Sequence, residues 1–457
     1  MDLARPQTIS RTGKIRELLT LFFSVLLMSF STYFLVLIEK LLLARLSQEA
    51  MEIAVTSAYV AQIFQVPCIA LAMMAQVYVG RWIGAQDYKS IGPGIWQFIW
   101  FSVLSTCITL PIGWVCSELY FHGTALSAAG VPYARFLIAI NFLYPLGAAL
   151  SCFYLGQGKT LLVVIATIAS QALKLLSAYL LIFGWGGWIP CLGLTGGVLS
   201  TLIAQGAFCL FLLITFLAHK HRHLFGSHHW HFQLKLFWHC IQPGLLRAMN
   251  RVLNFTCWVV IARLVAEKGG DHLLCLSIGG SLCLFLPFVG DALCQAQTTV
   301  VSQILGAHNF SYLNRALRSG ATLAAITIVI MGIPFLFFPS VLFNWLFPTI
   351  QIGSMDIQKI FGGIWLSFAF FTFSGLPISY ILAFKDTKFS LFMGFIAWIN
   401  GALFMYVMLN KVSIAADSFW IVLSIMHLSN VVLYWARMRF LKSRAIASHA
   451  APSPASS

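Results

Sequence analysis

The chain has 457 residues, 60% of them hydrophobic and 9% charged, with a mean hydropathy of +0.87. Soluble domains carry about a quarter of their residues as charges, so this composition excludes a soluble globular protein and indicates a polytopic membrane protein. The net charge of +15 does not mark a nucleic-acid partner, because Lys and Arg collect in alternate connecting segments, as the positive-inside rule requires.

A bilayer crossing takes about 20 mostly apolar residues, and backbone polar groups in lipid are satisfied only in helices or closed barrels. The apolar runs lack period-2 alternation, which selects helices. A basic cytoplasmic lead, 1–17, carries Arg5, Arg11, Lys14 and Arg16. The run after it is too long for a signal-peptide core and no small-residue cleavage site comes next. Spans are predicted at 18–43, 54–80, 95–117, 131–154, 160–183 and 193–217, making an N-terminal six-helix bundle over 18–218. A His-rich cytoplasmic connector occupies 219–240. The second bundle, 241–440, holds spans at 242–265, 273–302, 316–339, 359–383, 388–410 and 416–437. The tail, 441–457, ends in small residues, Pro and Ser and is expected to be disordered.

With the N-terminus inside, eighteen Lys and Arg fall on inner segments, seven on outer ones and three within spans. That asymmetry places both termini in the cytoplasm and the chain in the cell (inner) membrane. The eleven cysteines lie mostly inside spans without paired spacing, so neither a disulfide framework nor a metal site is signalled.

The two halves share landmarks. Val79 to Tyr88 reads VGRWIGAQDY and Val301 to Phe310 reads VSQILGAHNF, 222 residues apart, each ending in Gly-Ala, a polar pair and an aromatic. Ala44-Arg45-Leu46 returns as Ala262-Arg263-Leu264, and Leu155 to Thr160 is matched by Leu382 to Thr387. The order is kept with little drift, which indicates an internal repeat. Six spans per half is an even number, so the repeats point the same way and a pseudo-two-fold along the membrane normal is expected. The glycines are expected to permit a tight helix exit, with Asp87 or Asn309 capping the next helix.

These landmarks resemble the multidrug and toxin extrusion (MATE) family of the MATE/polysaccharide flippase superfamily, over nearly the whole chain. The resemblance rests on the two Gly-Ala phrases, on Ile38-Glu39 with Ala44-Arg45-Leu46, and on Leu180 to Gly184 with Pro190 to Gly197 after it. Lys385-Asp386-Thr387 resembles the family's segment after the tenth span, without its Arg-Gly pair. The resemblance implies two six-helix bundles in a V around a cavity that opens alternately to each side. It implies a secondary active exporter, not an enzyme, that expels organic cations or amphiphiles by antiport with protons or sodium ions. No cofactor is expected; the partners are the lipid bilayer and small amphiphilic or cationic substrates, with no nucleic acid, and the protein is expected to act as a monomer. The alternative is a flippase for a lipid-linked oligosaccharide or cell-envelope precursor, the sister branch. An enzyme built on the histidine cluster would need ligands converging at one membrane face. Gly156 to Thr160 lacks the Walker A spacing, which disfavours ATP-driven transport.

Ionisable groups within spans are functional candidates because each costs at least about 2.5–3.5 kcal/mol at the bilayer centre. The resemblance puts Glu39 at the family's first-span coupling carboxylate, an Asp in most members. Burial raises a carboxylate's pKa, which suits proton exchange; solvation at the outer interface is the other reading. Lys174, in the fifth span, stands where the family pattern has a polar Asn, and Ala178 where many members carry a second acid. A positive charge beside Glu39 disfavours a sodium site. Snorkelling of the Lys174 stem is the alternative. Asp291 is either a C-half proton or substrate site or a bond to a neighbouring helix. The C-half acids of one subgroup are missing, their places falling near Arg251 or Asn254 and near Phe371. Gln62, Asn141, Gln171, Thr201, Asn254 and Asn400 are candidates to line the cavity or to hydrogen-bond between helices. Phe368 to Phe373 offers aromatic faces to a lipophilic cation or to packing. The connector's HxHxH spacing suits zinc, nickel or copper, but no acidic or cysteine ligand accompanies it and no metal is assigned.

Overall fold

In the computed structural model, which describes residues 12–450 apart from 125, 186–187, 189, 283–285 and 349–354, the apolar runs are α-helices. They are α1 (Ile15–Leu46), α2 (Gln48–Ala72), α3 (Met74–Gly84), α4 (Ile91–Phe121), α5 (Ser127–Ala139), α6 (Leu143–Gln157), α7 (Thr160–Phe183), α8 (Leu194–Phe216) and α9 (His219–Phe225). Next come α10 (Leu234–Lys268), α11 (Gly270–Leu282), α12 (Leu286–Gly306), α13 (Leu313–Phe337), α14 (Pro339–Leu346), α15 (Ile357–Ala383), α16 (Thr387–Val407) and α17 (Phe419–Ala450). Among the described residues eleven segments are long and apolar enough to cross a membrane, or twelve when the bent pair α11 and α12 counts as one more. The second predicted span is the pair α2 and α3, broken at Met73, and the fourth is α5 and α6, broken at Ile140 to Phe142.

The chain forms two compact units, Leu27–Ala248 and Ser10–Leu26 with Met249–Ser457. The division therefore falls inside α1 and inside α10. Long helices with no breaker at those points continue through the boundary.

The shared landmarks turn out to be helix exits of one geometry. After α3, Gln86 N donates to Ile83 O and Asp87 N to Trp82 O; after α12, His308 N donates to Leu305 O and Asn309 N to Ile304 O. The exits of α6 (Gly158 to Leu155, Lys159 to Tyr154) and α15 (Lys385 to Leu382, Asp386 to Ile381) repeat the pattern. This is the Schellman closure, which needs one left-handed residue just past the helix. Three of the four are not glycine: Gln86 has φ 59°, His308 53° and Lys385 61°, against 79° for Gly158. The Gly-Ala glycines, Gly84 and Gly306, sit within the last helical turns, so the conformational demand falls two residues later than expected. Asp87 and Asn309 make no side-chain cap to a backbone N–H; Asp87 instead accepts from Ser90 Oγ at 2.6 Å.

Within each unit, small residues let helices approach closely, as in membrane packing generally. A Cβ on Gly196 of α8 would stand 2.6 Å from the Leu181 carbonyl carbon of α7, and one on Gly363 of α15 would stand 2.7 Å from Ile421 N of α17. The passage around Leu180 to Gly197 is thus a tight hairpin, closed by Leu192 N donating to Leu181 O at 2.9 Å.

The connector is strapped down rather than loose. Trp96 Nε1 donates to Ser227 O at 2.7 Å, Trp100 Nε1 to Trp230 O at 2.9 Å and Tyr78 Oη to His239 O at 2.6 Å. Its histidines diverge: His219 packs on His223 at 4.8 Å between centroids, and His228 on His229 at 3.8 Å. His221 turns inward onto Phe153 and Phe225, with Nδ1 at 2.7 Å from Thr215 O. Positions i, i+2 and i+4 of a helix do not share one face, so HxHxH does not converge. Among the described residues no group of three or more His, Cys, Asp or Glu is placed to hold a metal ion. Burial pushes the His221 pKa below its ordinary value, and the nearby Lys159 adds to this.

The tail also differs from expectation. Residues 441–450 continue α17, because Leu441, Lys442, Arg444 and three alanines are good helix formers and no proline intervenes before Pro452. Residues 451–457, like 1–11 of the lead, lie outside the described residues.

Candidate functional site

The first unit brings together two charges 135 residues apart. Lys174 Nζ of α7 donates to Glu39 Oε2 of α1 at 2.6 Å, with side-chain exposures of 14% and 17%. On α7, Gln171 and Lys174 are three apart and share a face. Both reach α1, for Gln171 Nε2 donates to Thr32 Oγ1 at 3.3 Å. A rise of 1.5 Å per residue puts Lys174 about 14 Å inside the C-terminal end of α7, well away from a helix tip where a lysine would snorkel.

The surroundings are largely dry. Tyr144 of α6 lies near Gln65 of α2 and within electrostatic reach of both charges, and Tyr133 of α5 lies within reach of Glu39. Leu42, Leu43, Ile53, Ala178 and Ile182 form a packed cluster beside the pair. Ala178 is 1% exposed, so the place of the family's second acid is occupied by core. The pair is net neutral and hydrogen-bonded, which is how buried charges are tolerated. Its ammonium stands directly on one of the two Glu39 carboxylate oxygens.

The second unit holds a weaker counterpart. Arg251 of α10 lies 3.9 Å from Asp291 of α12, and the two side chains are 46% and 37% exposed. Asp291 thus faces a charge on another helix. The remaining candidates are scattered. Gln62, Asn254 and Asn400 are exposed. Asn254 bonds Asn250, one turn back. Thr201 bonds Gly197 O within its own helix at 3.1 Å. Asn141 is buried at the break between α5 and α6, with Nδ2 unpartnered among the described residues. Only Gln171 joins the Glu39–Lys174 ladder. Sequence reasoning missed Tyr133, Tyr144 and Gln65 as neighbours of the pair; each is a polar tip in an apolar run, the signal by which they were legible.

Comparison with known proteins bears on this arrangement. Residues 21–180 match the MatE family model, a stretch that includes both Glu39 and Lys174. That match covers 160 of the 457 residues. The chain is 23% identical over 311 residues to the probable multidrug resistance protein NorM of Thermotoga maritima, covering 65% of this chain and 63% of that one. The matched stretch thus spans less than two thirds of the relative. In three dimensions the chain is similar to an outward-facing multidrug resistance MATE transporter of the MOP superfamily, with a TM-score of 0.84 at 13% identity over 97% of this chain and 98% of the other. It is also similar to a MOP-superfamily transporter from Pyrococcus furiosus, described as having a binding pocket of reversed polarity that suggests a different function, with a TM-score of 0.82 at 14% identity over 96% and 98%. The protein therefore has the fold of these MATE structures, an all-α, multi-pass membrane architecture.

Proposed function

We propose that the protein is a secondary active exporter that expels organic cations or amphiphiles in exchange for protons, with Glu39 and Lys174 as its coupling pair. The observation that carries this is the ion pair itself, at 2.6 Å in a largely buried site within the MatE domain. Three cations contend for one carboxylate: the Lys174 ammonium, a proton and a cationic substrate. Glu39 satisfies one at a time, and exchange requires that exclusivity. Lys174 keeps the empty carboxylate paired, so that no lone charge is left in a low-dielectric site. Sodium would have to share the carboxylate with a fixed ammonium, which disfavours it by like-charge repulsion. An unpaired Lys174 would reverse the polarity of the site, but Glu39 neutralises it. The positive-inside asymmetry supports a cell-membrane protein with both termini in the cytoplasm.

The test is uptake of a fluorescent organic cation into inverted vesicles under an imposed pH or sodium gradient. The expected result is uptake driven by the pH gradient alone and lost in Glu39→Gln. Uptake driven by sodium, or surviving Glu39→Gln and Lys174→Met unchanged, overturns the assignment. Binding of a lipid-linked sugar with failure under both gradients replaces it with a flippase.

A further inference from the structure

The second unit contains a cavity of about 290 Å³ that the coupling pair does not touch. Trp258 of α10, Phe368 and Phe371 of α15 and Trp420 of α17 supply aromatic walls, with Ser367 and His427 as polar groups. The indoles of Trp258 and Trp420 lie 6.1 Å apart at 38°. Trp420 is a fixed platform: it is 1% exposed, its Nε1 donates to Cys275 O at 3.1 Å, and Gly279 and Gly363 abut it without side chains.

The polar contents of this cavity select its occupant. A volume near the lower end of ligand pockets, roughly 300 Å³, holds a bicyclic aromatic and excludes a large drug. Among the described residues no acidic side chain lines it. Asp291 is one turn beyond Pro287 on α12, but it faces Arg251 at 3.9 Å and is not among the lining residues. A permanent cation therefore finds no counter-ion. The His427 imidazole, by contrast, has no hydrogen-bond partner among the described residues, and a neutral imidazole both donates and accepts. Aromatic faces stack on flat π-systems, and a buried unpaired polar group gains from any partner a ligand brings.

We propose that this cavity binds small, planar, uncharged aromatic molecules carrying one hydrogen-bonding group, the class of the phenols, stacked against Trp258 and Trp420 and bonded to His427. The assignment is independent of the exchange at Glu39, since it concerns equilibrium binding in the other unit. Gly280 gives a clean steric probe: it lines the cavity, and a Cβ built there meets nothing within 4 Å.

The experiment titrates the full-length protein in detergent with 2-naphthol and, as a permanently charged probe of matching size, N-methylquinolinium. Gly280→Leu protein in the same micelles serves as the reference. Saturable binding of 2-naphthol, one molecule per chain, is expected, with N-methylquinolinium weaker by about tenfold for lack of a counter-ion. His427→Leu weakens 2-naphthol by about three- to tenfold, while His427→Gln, which keeps a donor and an acceptor, stays within about twofold. Gly280→Leu abolishes saturable binding with its thermal unfolding midpoint unchanged, which separates a filled cavity from a failed fold. Binding that persists in Gly280→Leu, is indifferent to His427→Leu, or favours N-methylquinolinium overturns the proposal.

Discussion

Removing Lys174 tests whether the ion pair is an energetic unit. Lys174→Met leaves the Glu39 carboxylate beside an apolar cluster with no cation at 2.6 Å. Coulomb's law at that separation, with an effective dielectric of about 20, gives roughly 6 kcal/mol of attraction. Desolvation of the two ions offsets much of this, and stripping one partner from a buried pair costs about 3–5 kcal/mol. Glu39→Gln is expected to cost a similar amount by stranding the ammonium. The double variant removes both charges together, and an uncharged replacement of a buried pair is close to neutral. The two single costs therefore exceed the double by at least about 3 kcal/mol, the upper end of measured couplings. The assay is a double-mutant cycle from reversible unfolding in mixed micelles, read by tryptophan fluorescence. The exposed pair Arg263–Glu267, at 3.3 Å with side chains 82% and 61% exposed, provides a control cycle, expected at or below about 0.5 kcal/mol. Single costs that add to the double within about 0.5 kcal/mol refute the reasoning.

At the helix exits, Gly158→Ala is expected to cost about 1–2 kcal/mol because an alanine is forced left-handed. Lys385→Gly, at φ 61°, relieves such strain and raises stability by up to about 1 kcal/mol; thermal melts of both check the pair. His221 is held with a lowered pKa in the docked connector, so the undocked state binds more protons. Docking strength is full above the ordinary value of 6.5 and is lost as pH falls through the lower docked value. Protection of 219–239 against hydrogen exchange, taken relative to the intrinsic rate at each pH, is therefore lower at pH 5 than at pH 7.5, and His221→Phe removes the difference. Arg437 bonds Asp386 at 2.8 Å and stacks on Phe389 and Phe440 at 5.0 and 5.1 Å. Arg437→Lys keeps the charge but weakens the stacks, and costs about 1 kcal/mol in the same melts.

How loudly each residue type signals its environment decides which features are legible in the sequence. Spans are legible because membrane insertion acts directly on composition. Glu39 and Lys174 are legible because a charge within an apolar run is rare and expensive, so two of them invite pairing. The repeat is legible as a phrase, but its physics lies elsewhere than the glycines suggest. Glycine advertises conformational freedom, yet the left-handed positions fall on Gln86, His308 and Lys385, residue types that carry no such mark. His427 escapes a reading of the sequence because seven of the twelve histidines crowd the 219–240 connector; only three-dimensional packing shows that this one stands alone in an aromatic cavity. The tail reads as disordered from its Pro and Ser, but its prolines begin only at Pro452, beyond the last helical turn of α17, and Ser443 and Ser448 are carried within that helix.

The two halves share helix exits but not electrostatics, and that difference supports the proposed placing of the coupling in the first unit. In the first unit the ions touch and are mostly shielded, so a proton that neutralises Glu39 changes a large interaction. In the second unit Arg251 and Asp291 stand 3.9 Å apart and are more than a third exposed, a geometry worth little in high dielectric. Protonating Asp291 there changes almost nothing that a transport cycle uses. Asp291→Asn is therefore expected to retain pH-driven uptake of an organic cation, under the same gradient at which Glu39→Gln loses it. The opposite outcome, loss in Asp291→Asn with Glu39→Gln active, transfers the exchange to the second unit and leaves Glu39–Lys174 a strut between α1 and α7.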